Sequence, residues 1–234
     1  MSYKILLFIV AYLVSAPIYA QRQKIKNQPF ADQKLYHIGF TIGLHSQDLI
    51  LSHTGLPTSS GEVWFAEIPS YTPGFSVGII GDRYLNRYMN LRVVPSLYFG
   101  GKEFVFREQN TGEEMRTTVK TNYLSLPAYI KLSSERNNNM RPYLLAGGYA
   151  SMEIGSKKDA VIKLKKTDFG LEFGFGCDFY MPLFKLSPEL KFSFGLSDLI
   201  EKDRSDLTDK DLQKYTDALS SGKSRMITLT FNFE

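Results

Sequence analysis

The sequence predicts an all-β protein, an eight-stranded antiparallel transmembrane β-barrel with a polar, filled lumen. Segments of about ten residues alternate between apolar and polar side chains, as β-strands with two different faces do. The connections between these segments alternate between long and short. After the first twenty residues, no apolar run reaches the roughly 18 residues that a spanning helix requires. A membrane protein with this sequence must therefore cross with strands.

The start of the chain predicts a secretory signal peptide, residues 1–20. Lys4 precedes an apolar run, and small residues lead up to Ala20, after which cleavage is expected. The polar segment 21–33 is predicted to be a flexible periplasmic tail. Residues 34–234 contain no linker and no break in composition, so they predict one barrel domain.

Eight segments carry the strand pattern. The sixth is the clearest, because phenylalanines from Phe169 to Phe179 alternate with Gly, Asp and Glu, whereas the parity of the fifth is ambiguous. The predicted strands are LYHIGFTIGLHSQDL (35–49), YTPGFSVGIIGD (71–82), MNLRVVPSLYFGG (89–101), NYLSLPAYIKLS (122–133), MRPYLLAGGYASMEIG (140–155), TDFGLEFGFGCDFY (167–180), KLSPELKFSFGLS (185–197) and SRMITLTFNFE (224–234).

The polar parity of these strands is rich in glycine and in charges of both signs. That composition favours a crowded lumen over the solvated face of a soluble sandwich, so the apolar parity is expected to face lipid. Eight strands enclose a space that side chains can fill, so an open pore is not expected. The charged residues predicted to pair inside are Arg92, Lys131, Glu172, Asp178, Glu189 and Lys191.

The connections predict the membrane and the orientation. Long extracellular loops alternating with short periplasmic turns are typical of outer-membrane barrels. We therefore expect the protein in the outer membrane of a Gram-negative bacterium, surrounded by lipid. The last strand must close the sheet, because an open edge would leave backbone groups unpaired in hydrocarbon.

Composition argues against several other functions. A formal net charge of +4 gives no case for nucleic-acid binding. The single cysteine, Cys177, excludes an internal disulfide and any multi-cysteine metal motif, and it falls on the lipid-facing parity. His37 and His45 share the lumenal parity but lie about 26 Å apart along one strand, so they cannot share an ion. No cofactor is predicted.

The first long loop and the strand before it contain residue types that occur in catalytic sites. His53 stands beside Ser52 and near Asp48, Ser59 and Ser60, but no spacing defines a nucleophile, a base and an orienting acid. We therefore expect no enzyme activity.

Two apolar stretches in the outer loops predict contacts with a protein partner. Trp64 and Phe65 are apolar for an exposed loop, although such loops also fold back on themselves. In the last loop, a short helix is predicted with Gly222 at its end and an apolar stripe that would either pack on the barrel rim or bind a partner. The stripe consists of Leu212, Tyr215 and Leu219.

Several blocks resemble the PorT family of Bacteroidetes outer-membrane barrels. They are FADQKLYHIGFTIGLHSQDL, YLSLPAYIKLS, RPYLLAGG, FGLEFGFGCDFY, FKLSPELKFSFGL and the closing ITLTFNFE. The resemblance covers nearly all of the chain after the signal peptide and is weakest in the outer loops. It implies a component of the type IX secretion system, which exports cargo proteins bearing a conserved C-terminal domain, and it carries over no catalytic motif.

A filled lumen cannot pass a folded cargo, so the expected role is accessory to a larger translocon barrel. Two alternatives remain open at this stage. One is a general surface barrel with a binding or structural role, and the other is an outer-membrane enzyme.

Overall fold

The computed structural model describes residues 26–55, 63–67, 73–109, 112, 114–154, 163–202 and 218–234. Within these ranges the chain forms a 3-10 turn and ten β-strands. The turn is Ala31–Gln33, and the strands are β1 (Tyr36–His53), β2 (Trp64–Glu67), β3 (Pro73–Asn86), β4 (Met89–Val93), β5 (Ser96–Glu108), β6 (Glu114–Ser133), β7 (Met140–Glu153), β8 (Thr167–Tyr180), β9 (Lys185–Gly195) and β10 (Leu219–Phe233). The described part of the chain contains no helix long and apolar enough to cross a membrane.

The strands close into a barrel with eight strand positions, which confirms the predicted fold. β1 pairs with β10 on one side and with β3 on the other, and all of the pairings are antiparallel. β4 and β5 follow one another in a single strand position, and β2 pairs only with the last four residues of β5. Around the ring the order is therefore β1, β3, β4 with β5, β6, β7, β8, β9 and β10.

The strand position occupied by β4 and β5 is interrupted at Val94 and Pro95. Proline has no backbone N–H to donate to a ladder, so strands tolerate it at such irregular positions. The carbonyl of Pro95 still accepts a hydrogen bond from the N–H of Ile79, and the N–H of Val94 donates to Pro127. Backbone hydrogen bonds to both neighbouring strands, β3 and β6, therefore continue across this break. The break lies inside the third predicted strand.

Side chains follow the predicted parity. In β8, for example, Phe173 and Phe175 are exposed on the outer surface while Glu172 and Asp178 are buried in the lumen. The structure also assigns β7, whose parity the sequence left open. Its inward residues include the apolar Leu145, and that apolar group on the lumenal side is what blurred the alternation.

Several strands, among them β1 and β6, are longer than predicted and continue towards the end of the barrel that carries the long connections. β1 has 18 residues and β6 has 20. Part of the long connection predicted after the third strand is a hairpin of β5 and β6, closed by the pair Arg107 and Glu114. The prediction that a helix ends at Gly222 is wrong, because Leu219 begins β10 and Gly222 lies within that strand.

The two ends of the barrel differ. At the end called here the turn end, β3 and β4 are joined by two residues and β8 and β9 by four, 181–184. At the opposite end, called here the loop end, the long connections leave the barrel, and both described chain termini lie at the turn end. The predicted signal peptide lies outside the described residues.

Candidate functional site

The lumen contains a network of buried charges near the turn end. At its centre is Arg92, whose Nε donates to Asp82 Oδ2 at 2.9 Å and whose Nη2 donates to Glu234 Oε1 at 2.6 Å. Its Nη1 lies 3.5 Å from Glu189 Oε2. One guanidinium therefore joins three strands and the residue that follows β10.

The remaining charges of the lumen pair in the same way. Lys131 Nζ lies 2.8 Å from Asp178 Oδ2, and Lys185 Nζ lies 2.7 Å from Glu234 Oε2. Lys191 Nζ is 3.6 Å from Glu172 Oε1 and 3.7 Å from Glu189 Oε1. The structure thus places all six predicted charged residues in the lumen with oppositely charged partners.

Tyrosines extend this network towards the middle of the barrel. Tyr129 donates its hydroxyl hydrogen to Glu172 at 2.7 Å, and Tyr143 donates to Glu189 at 2.8 Å. The Nζ of Lys131 lies 4.0 Å from the centre of the Tyr143 ring, a cation–π contact. The network therefore combines ion pairs with aromatic donors, and its side chains fill the lumen near the turn end.

Sequence reasoning missed several members of this network. Asp82, Lys185 and Glu234 all continue the polar parity of their strands, but they lie at strand ends where the alternation had not been extended. In the second predicted strand the pattern is also interrupted by Ile80, an apolar residue buried in the lumen. Extending the polar alternation of each predicted strand as far as the adjacent turn would have identified these three residues.

Above the charges lies a small polar cavity of about 30 Å³. Asp168 is its main acceptor, taking hydrogen bonds from the hydroxyls of Tyr149, Ser197 and Ser224. The remaining lining is mostly serine and tyrosine. A cavity of this size holds about one or two water molecules, not a solute.

An apolar cluster closes the loop end, and we call it the outer cap. It consists of Leu49, Trp64, Ala66, Phe106, Leu164, Leu199, Ile200, Ala218 and Leu219. Trp64 is only 4% exposed and Leu219 only 1%, so the prediction that these two contact a partner is wrong. Both side chains are buried because apolar groups gain free energy when they leave water and pack together inside the extended strands.

Phe65, the neighbour of Trp64, is half-buried, and its ring lies 5.5 Å from that of His53. The remaining two residues predicted to contact a partner, Leu212 and Tyr215, lie outside the described residues.

The opposite mouth is covered by residues 27–33, which we call the N-terminal plug. Asp32 accepts hydrogen bonds from Arg141, at 3.0 Å, and from the hydroxyl of Tyr180. The backbone carbonyls of Asn27 and Gln28 accept from Arg136. The flexibility expected of this segment stays a prediction, but its described part has specific partners on the barrel.

The histidines take structural positions. His45 is buried in the lumen with its ring 5.2 Å from that of Tyr98, and His37 bonds the carbonyl of Ala31 in the plug at 2.7 Å. His53 bonds the carbonyl of Ala66 at 2.8 Å and so ties β2 to β1. No group of three or more His, Cys, Asp or Glu side chains that could hold a metal occurs in the described ranges.

The other residues considered for catalysis are Asp48, Ser52, Ser59 and Ser60. Asp48 forms an ion pair with Arg225 on the outer surface, while Ser59 and Ser60 lie outside the described residues. Cys177 is partly exposed on the lipid-facing parity, as predicted.

Solved structures with a similar fold are small outer-membrane barrels. OprG from Pseudomonas aeruginosa matches at a TM-score of 0.52 and 10% identity, covering 85% of this chain and 93% of OprG. Neisserial surface protein A matches at a TM-score of 0.43 and 11% identity, covering 85% of this chain and 98% of its own. AlkL matches at a TM-score of 0.38 and 10% identity, covering 93% of both chains.

Sequence comparison identifies the family. No curated protein is significantly similar in sequence. The family described as "Outer membrane protein beta-barrel domain" matches residues 19–201, which is most of the chain. The protein therefore belongs to the outer membrane protein β-barrel domain family and lies in the outer membrane.

Proposed function

We propose that this barrel is a non-enzymatic accessory component of the type IX secretion system, acting beside a larger translocon barrel. The observation that carries the accessory role is the filled lumen. The outer cap, the charge network and the N-terminal plug block the barrel at three successive levels. Neither an unfolded nor a folded cargo could pass without dismantling it. The secretion system itself is inferred from the resemblance of the strand blocks to the PorT family.

The structure changes where a partner contact is to be sought. Trp64 and Leu219 are used inside the outer cap, so they are replaced as candidates by apolar residues at the turn end. Leu183, in the turn between β8 and β9, is 92% exposed, and Phe184 beside it is also exposed. In outer-membrane barrels the short turns face the periplasm. We therefore place the contact with the translocon at the periplasmic face.

The test is a pull-down of the tagged barrel from outer membranes in a mild detergent, with partners identified by mass spectrometry. A deletion strain is assayed in parallel for cargo in the medium and in the periplasm. We expect a large barrel to co-purify and cargo to accumulate inside the deletion strain. A barrel purified alone together with normal secretion would contradict the proposal.

Leu183→Asn locates the contact, and Leu196→Asn is its matched control. Leu196 is 53% exposed at the loop end, so the same substitution is made at the other end of the barrel. Loss of the partner with Leu183→Asn alone supports a periplasmic contact, whereas loss with Leu196→Asn alone places the contact outside.

The second candidate function is a surface barrel with a binding or structural role and no part in secretion. The match to a general outer-membrane barrel family favours it. The deletion strain distinguishes the two, because this alternative predicts normal secretion.

A further inference from the structure

The outer surface of the barrel carries a group of cations at the loop end, which we call the basic rim. The segment 163–166 runs beside 199–201, with hydrogen bonds from Lys165 N to Leu199 O and from Glu201 N to Lys163 O. Leu199 N in turn donates to Gly222 O in β10. These contacts join the rim into one wall, whose basic residues are Lys163, Lys165, Lys166, Lys202, Lys223 and Arg225.

The basic rim lies directly beyond the lipid-facing band. On the outward face of β10, Ile227 and Leu229 follow Arg225 towards the turn end and are exposed, and Phe194 of β9 lies opposite Arg225. In an outer membrane whose long loops face outward, this boundary lies at the headgroup level of the outer leaflet. The carboxylates on this part of the described surface are Asp48, Asp198 and Glu201, so cations are in excess there.

A crevice of about 320 Å³ opens on this wall between β1, β10 and β9. Its apolar sides are Phe192, Phe194 and Ile227, and its polar end holds Ser46, Asp48 and Arg225. Arg225 is paired with Asp48 and its side chain is 42% exposed. The crevice is therefore amphipathic like a lipid, with its apolar part towards the turn end and its charged part towards the loop end.

The hydroxyl of Ser46 is buried and has no hydrogen-bond partner among the described residues. A buried polar group without a partner is costly, and such groups are commonly satisfied by a ligand or water. A serine hydroxyl beside a guanidinium suits an anion rich in oxygen acceptors.

We propose that this crevice and the basic rim bind a phosphorylated lipid of the outer leaflet. The phosphate accepts hydrogen bonds from Arg225 and Ser46, with Lys223 above it, and an acyl chain lies along Phe192, Phe194 and Ile227. Asp48 holds the guanidinium at the polar end of the crevice. This site is independent of the proposed role in secretion, because it lies on the membrane-facing wall and not at the turn end.

The test uses native mass spectrometry of the folded barrel in a zwitterionic detergent, titrated with diphosphorylated lipid A. Lys223→Gln with Arg225→Gln is the test variant. Arg107→Gln with Arg116→Gln is the matched control, since it removes two charges at the same end from the β5–β6 hairpin on another wall. Migration of the unheated protein on a gel verifies that each variant is folded.

We expect the test variant to bind lipid A at least about tenfold more weakly, since each cation near an anionic lipid surface contributes on the order of 1 kcal/mol. The control should change binding less than about twofold, because its two cations lie on another wall and are too far from the crevice to attract the phosphate. Ser46→Ala, which keeps every charge, should weaken binding about threefold through the lost hydrogen bond.

Three outcomes would overturn the proposal. Equal weakening in the control would show general charge attraction. Unchanged binding in the test variant would show that the crevice is not the site. Displacement of the lipid by millimolar inorganic phosphate would show a site for a free anion. If the double variant fails to fold, Asp48→Asn with Arg225→Gln replaces it, because that pair leaves neither charge alone.

Discussion

At the scale of single residues, Arg92 illustrates why the lumen depends on matched charges. Removing a charged group from water costs several kcal/mol, and partners in good geometry recover that cost. Arg92 has three carboxylate partners, and all of them are buried. Removing the cation would leave Asp82 with only the Asn90 amide as a hydrogen-bonding partner among the contacts described.

Arg92→Met should therefore lower the free energy of unfolding by about 3–5 kcal/mol, the usual cost of breaking a buried ion pair. Urea unfolding in lipid vesicles, followed by gel migration, measures this change. Adding Asp82→Asn should recover part of the loss, because it removes the stranded carboxylate. Arg87→Gln breaks an exposed pair with Glu135 and should cost less than about 1 kcal/mol. Equal effects of Arg92→Met and Arg87→Gln would contradict this account.

Gly147 illustrates a steric requirement of the wall. A Cβ atom at this position would lie 2.0 Å from the carbonyl oxygen of Ala128 on β6, which is backbone and cannot turn away. Gly147→Ala should lower the free energy of unfolding by about 1–3 kcal/mol, as overpacking does. Gly81→Ala is the matched control, because its Cβ would be 3.8 Å from the nearest atom. The same urea titration would refute the prediction if both substitutions were neutral.

At the scale of elements, the outer cap is a small hydrophobic core built outside the membrane band. β2 contributes Trp64 to it and pairs with β5 along four residues. A strand this short is not stable alone, so its place depends on the burial of its tryptophan.

Trp64→Ala should open the outer cap without unfolding the transmembrane barrel. The lost packing is worth about 3–5 kcal/mol, and the charge network is not touched. Limited proteolysis of whole cells should reveal new cuts in the first loop, while the unheated protein keeps its folded migration. Phe65→Ala, beside it and half-buried, is the control and should leave the loop resistant. Complete loss of the folded band would show that the cap and barrel fold as one unit.

The N-terminal plug is a second element whose position depends on few contacts. Asp32 is its main anchor, with Arg141 and Tyr180 as donors. Asp32→Ala should increase amide hydrogen exchange in residues 27–33 by at least about tenfold, because a charge-assisted hydrogen bond contributes about 1.5–3 kcal/mol. Lys34→Ala, just outside the plug, is the control. Rapid exchange already in the unaltered protein would favour the flexible tail expected from the sequence.

At the scale of the whole molecule, a barrel filled from cap to plug should not conduct ions. In planar bilayers the purified protein should give no steady conductance steps. Removing residues 21–33 should not change this, because the charge network and the outer cap remain. Stable openings in the unaltered protein would contradict the filled lumen and would reopen the question of a transport route.

The fold followed from the sequence because lipid and lumen impose opposite demands on alternate residues. That same rule placed Arg92, Lys131 and Glu172 correctly. It could not place Trp64 or Leu219, since an apolar residue in a loop looks the same whether it binds a partner or covers the barrel's own mouth. The position of Ser46, Asp48 and Arg225 beside lipid-facing phenylalanines could not be predicted either, because it depends on the register of β10 against both β1 and β9.

The position of Glu234 beside Arg92 and Lys185 has a consequence for assembly. A slip of β10 by two residues would keep its lipid-facing side chains outward and would allow the same type of backbone hydrogen bonding. It would, however, carry the Glu234 carboxylate roughly 7 Å away from both cations, at about 3.3 Å per residue. Contact with hydrocarbon therefore determines which face of β10 turns outward, whereas the ion pairs of Glu234 with Arg92 and Lys185 favour the correct closure over one that is displaced by two residues.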